Sequence, residues 1–80
     1  MKEKNMSIDY SSLLTDEQKR SILAQRLTQF AAEGYQHEIN KQVAEAADNE
    51  EGTKAANDAL VILDSAIAVH QAELAKLPTE

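Results

Sequence analysis

Apolar side chains recur along this chain at helical spacings, with one interruption near residue 50. Leu23, Leu27, Phe30 and Gly34 follow a 4-3-4 spacing that puts them on one side of a helix. A second set, Leu27, Ala31, Tyr35, Ile39 and Val43, recurs every four residues, so each step drifts by about 40° around the cylinder. The spacing predicts a buried stripe that rotates and lies, by Val43, nearly opposite its start at Leu23. Gly34 stands near the change of phase. Beyond the interruption, Leu60, Ile67 and Leu74 take one heptad core position and Ala56, Leu63, His70 and Leu77 take the other, a coiled-coil-like seam. Its flanks are apolar as well: Ala59 and Ala66, Ile62 and Val69 beside them, then Val61, Ala68 and Ala75. Asn57, Asp58, Asp64, Ser65 and Gln71 form the only continuous polar stripe on this segment.

Local signals set the ends of these segments. Thr15 followed by Asp16, Glu17 and Gln18 reads as a capping box, with two carboxylates placed to complement the positive end of the helix dipole. No proline occurs before Pro78, so the first helix is expected over about 15–47, roughly 48 Å at 1.5 Å per residue. The cluster Asp48-Asn49-Glu50-Glu51-Gly52-Thr53 breaks the periodicity and marks the turn. Either Asp48 with Glu51, or Thr53 alone, is the candidate cap for a second helix over about 50–77, which Pro78 ends by disfavouring helical geometry at Leu77. One unbroken helix through residue 50 is the alternative topology. Residues 1–14 read as an arm carrying Ile8, Tyr10, Leu13 and Leu14, and residues 78–80 as a tail. The expected fold is therefore all-α, a two-helix antiparallel hairpin with an N-terminal arm.

A chain of 80 residues forms at most one domain and buries only about 60–65% of its unfolded surface, so the core must be thin. Thirteen alanines favour helices that approach closely over any sheet. A hairpin gives each helix one intramolecular neighbour, which covers a stripe of about 100°. The second helix is apolar around far more of its circumference than that. The surplus implies that the hairpin completes a helical bundle by oligomerising or lays its free face on a partner, with Tyr10, Leu13, Leu14, Ile62, Val69 and His70 as the candidate interface residues. Folding of the arm over the hairpin would absorb part of the surplus instead.

Charge and chemistry narrow the function. A net charge of −6 with scattered Lys and Arg disfavours nucleic acid and anionic membrane surfaces as partners. The longest strongly apolar run, Ala59 to Leu63, is far short of the ~20 residues that span a bilayer. Met1–Met6 carries Lys2 and Lys4, but the polar stretch after it is no secretory core. Without cysteine there is no disulfide, thiolate metal site or thiol nucleophile. His37 and His70 are the only imidazoles, and a turn near residue 50 sets position 70 opposite roughly position 30, so the two are not expected to share a metal. His37, with Glu33 and Lys41 one turn away on either side, reads as part of a solvated, ion-paired face, and His70 as a register or rim residue of the seam. No Glu-x-x-His pair, Gly-x-Ser-x-Gly turn or glycine-rich phosphate loop is present. A non-catalytic protein without cofactor, metal or small-molecule substrate is expected.

The runs Leu13-Leu14-Thr15-Asp16-Glu17-Gln18-Lys19-Arg20 and Phe30-Ala31-Ala32-Glu33-Gly34-Tyr35-Gln36 resemble the short helical proteins encoded among the small open reading frames of tailed bacteriophages. The likeness covers residues 13–77 in style and carries over no functional residue. It implies a structural or assembly protein, cytoplasmic or virion-associated, that acts through helix–helix contact with protein, its own copies included. The alternative it implies is a small acidic inhibitor or regulator that binds a host protein.

Overall fold

The computed structural model describes residues 8–78; residues 1–7 of the expected arm and Thr79 and Glu80 of the tail lie outside them. A 3-10 turn, Tyr10–Leu13, precedes two long helices, α1 (Asp16–Ala46) and α2 (Glu50–Lys76), which pack side by side. They run antiparallel: Arg20 reaches the carbonyl of Pro78, Phe30 meets the ring of His70, and Gly34 lies beside Leu63. The described chain is all-helical, and the break near residue 50 is a true reversal rather than one continuous helix.

Helix α1 begins as its sequence dictates. The Thr15 hydroxyl accepts from the amide of Gln18 at 3.1 Å, and the Gln18 side chain accepts from the Thr15 amide at 2.9 Å. It ends in a Schellman arrangement, in which the amide of Asn49 donates to the Ala44 carbonyl at 2.8 Å and that of Asp48 to the Glu45 carbonyl at 3.1 Å. Asp48 takes the left-handed conformation this requires, with φ of 55°. That geometry decides the cap of α2. With Asp48 committed to closing α1, the next residue, Asn49, becomes the N-cap and its side-chain oxygen accepts from the Gly52 amide at 2.9 Å. Neither Asp48 nor Thr53 plays that role; the Thr53 hydroxyl instead donates back to the Asn49 carbonyl.

The seam between the helices follows strict heptad spacing on both sides. On α2 it uses the expected positions, with Ala56 and Leu63 buried and Leu60, Ile67, His70 and Leu74 half-buried. On α1 the stripe does not rotate. After Leu23, Leu27, Phe30 and Gly34 it continues straight through His37, Lys41 and Ala44. Tyr35, Ile39 and Val43 are exposed on the far side of α1, and His37 belongs to the seam rather than to a solvated face. The reason is steric and local. Near the turn the helices close on small residues, with Ala44 facing Gly52 and both Ala44 and Ala56 buried, and Lys41 is half-buried at a seam position.

Candidate functional site

Only Ala44, Ala56 and Leu63 are buried among the described residues, so the hairpin encloses very little of its apolar surface. Two helices packed side by side are the whole of its described framework. The fold is one layer deep, and each broad face meets solvent. Layered folds bury such faces against a second layer.

One face carries an ordered apolar pattern. Ala55, Ala59, Ile62, Ala66 and Val69 repeat at 4-3-4-3 spacing along α2, a second heptad stripe turned about 100° from the hairpin seam. Ile62 and Val69 are 70% and 60% exposed, whereas Ala59 and Ala66 are half-buried between them. The stripe is thus a row of two projecting β-branched side chains separated by alanine hollows. Asn40 of α1 shares a surface hollow with Ala55, and Lys19 and Ile22 share another with Glu73, so these residues form the rim of the same face. By the same helical spacing, Arg26 and Glu33 lie on the Lys19–Asn40 line of that rim.

His70 sits where the face meets the seam. Its ring packs edge-on against Phe30, with centroids 4.8 Å apart and planes at 80°. Arg26 donates from Nε to Nε2 of His70 at 2.9 Å, and its guanidinium lies 5.2 Å from the Phe30 ring centre. Nδ1 of His70 is 2.7 Å from the Ala66 carbonyl, one turn earlier. A half-buried histidine with both nitrogens engaged fixes the register of the two helices at this level. His37 stands away from it, beside Asn40, Gly52, Ala55 and Ala56.

The other interface candidates divide. Leu14 folds back over the open end of the hairpin, in a shallow hollow with Ile22, Leu23 and Leu77, and is half-buried there. Tyr10 and Leu13 remain 70% and 69% exposed on the 3-10 turn. Among the described residues of the arm, Leu14 thus covers a little of the hairpin, while Ile8, Tyr10 and Leu13 are exposed. At the same end, Lys76 holds the Glu73 carboxylate at 2.8 Å and keeps its pKa below the usual glutamate range, by hydrogen bond first and charge second. Because that pKa is lowered on folding, the small stabilisation is present above the ordinary carboxylate range and is lost as pH falls through the lowered value.

Sequence spacing set position 70 opposite roughly position 30, where Phe30 meets His70, but did not single out Arg26, the hydrogen-bond partner of His70. The signal for Arg26 was its place one turn before Phe30 on the same helix. No group of three or more His, Asp or Glu side chains among the described residues is placed to hold a metal ion, and no described helix is long and apolar enough to cross a membrane. No family model matches the sequence, and neither a curated protein nor a solved structure does so.

Proposed function

We propose that this chain is a non-catalytic assembly protein that works by packing the broad faces of its helical hairpin against other protein, copies of itself included. The observation that carries this reading is the one-layer fold, with only three of the described residues buried and two heptad stripes on α2, one of them open. A helix with two such stripes suits a bundle in which it has two helical neighbours, and the hairpin supplies one. The exposed Tyr10 and Leu13 give the arm two side chains with which to hold a neighbour. The resemblance to small helical phage proteins favours a virion-associated or cytoplasmic setting for this role.

A concentration series of thermal melts tests it. Association stabilises the folded chain by mass action, so the melting temperature should climb as protein is raised from micromolar to millimolar concentration. A melting temperature that stays fixed over that range contradicts self-assembly.

One observation favours a second reading, an acidic inhibitor or regulator that docks on a basic protein. Glu45, Asp48, Glu50 and Asp58 surround a hollow at the turn, with Lys54 the only cation lining it. Such binding would weaken steeply with added salt, whereas apolar packing would not.

A further inference from the structure

We propose that the Ala55-Ala59-Ile62-Ala66-Val69 stripe of α2 is a homodimer surface that receives the same stripe of a second copy running antiparallel, centred between Ile62 and Val69. This rests on the assembly reading above and names the partner for it.

The pattern is its own complement. A two-fold axis at that centre sets Ile62 of one copy level with Val69 of the other, twice by symmetry, and brings the two Ala66 residues together between them, so two apolar layers flank a close approach through alanine. Charge agrees with this order. The α1 rim carries Arg26 and Glu33 one heptad apart, and reversing a second copy over the first brings Arg26 of one to within about one helical turn of Glu33 of the other, twice by symmetry. At the ends of the stripe the Lys76–Glu73 pair of one copy comes level with the Lys54–Asp58 pair of the other, two acids with two bases, so no unbalanced charge is trapped. Area agrees as well. A face two helices wide and 22 residues long spans roughly 20 Å by 33 Å, about 660 Å² in projection, near the ~800 Å² per partner of a stable complex.

The chain contains no cysteine, so single substitutions report contacts without background. Full-length Ala55→Cys and Lys76→Cys, both at exposed positions, are mixed, allowed to re-equilibrate and treated with a short bismaleimide, with light scattering on the same samples. Antiparallel pairing puts position 55 of one copy beside position 76 of the other, and the two copies of position 55 about 31 Å apart. The expected result is a covalent dimer in the mixture and almost none from either variant alone. Ile62→Glu with Val69→Glu should weaken association at least about tenfold, while Val61→Glu, on the other flank, should not. Cross-linking within each variant alone would mean parallel pairing and would overturn the proposal. An oligomer that fails to cross-link in any sample would overturn it too while leaving assembly intact. A monomer throughout would remove both.

Discussion

Arg26 and His70 are joined by a 2.9 Å hydrogen bond in which the guanidinium, which has no acceptor, must donate and Nε2 of the imidazole must accept. The ring proton then lies on Nδ1, where the Ala66 carbonyl at 2.7 Å receives it. Two helices and one turn of backbone are thereby tied through a single side chain. The neutral ring should be the Nδ1–H tautomer, the less common one for a free imidazole. Long-range nitrogen–proton correlation spectra at alkaline pH check this directly. Arg26→Ala should shift the ring towards the Nε2–H form, and an Nε2–H tautomer in the unaltered protein would show that the Arg26 bond does not form in solution.

Asp48 closes α1 in the left-handed region, at φ of 55°, and puts a carboxylate at the negative end of that helix. Both features cost stability in a residue with a Cβ and a negative charge. Asp48→Gly removes both and should stabilise the fold by about 1 kcal/mol, visible as a higher urea midpoint with an unchanged slope. A lower midpoint would mean that the Asp48 side chain has a favourable role not seen in this turn.

The two glycines should respond oppositely to alanine. At Gly34 a new Cβ would meet only Leu63 Cδ1 at 3.9 Å, ordinary contact in mid-helix, so Gly34→Ala should stabilise by up to about 1 kcal/mol. At Gly52 the Cβ would fall 2.8 Å from Asn49 Nδ2 and 3.1 Å from the Ala44 Cβ. Gly52→Ala should therefore displace the cap and cost about 1 kcal/mol or more. Chemical denaturation of both variants reads the difference in sign.

Leu63 is the largest buried residue among those described, facing Gly34 at mid-seam. Leu63→Asp would place an unpaired carboxylate there and should abolish cooperative unfolding by circular dichroism. Leu63→Ala should remain folded but lose about 2–4 kcal/mol. A cooperative, unshifted melt for the aspartate variant would mean that Leu63 is not part of the core.

The capping box at Thr15 and the α2 heptads were legible because each follows from a few neighbouring residues with no rival pattern. The C-terminal half of the α1 seam was not. His37 and Lys41 occupy inward positions without looking apolar, so periodicity followed the stronger Tyr35-Ile39-Val43 series onto the outer face. A half-buried lysine at a seam position and a close approach of Ala44 to Gly52 are tertiary facts. The cap of α2 was obscured for a related reason. Asp48, Asn49 and Thr53 all carry capping groups, and only the left-handed turn at Asp48 selects Asn49. Ile62 and Val69 announced an open face through spacing alone, but the alanine hollows and the opposed charges on the rim emerge only once α1 lies beside α2.

The molar mass of the full-length chain by light scattering is the most direct measurement of whether the hairpin completes itself with a second copy. At tens to hundreds of micromolar the expected value is twice the 8.8 kDa of one chain, falling towards one chain on dilution or with Ile62→Glu and Val69→Glu together. A mass of 8.8 kDa at every concentration, with a sharp and concentration-independent melt, would contradict it.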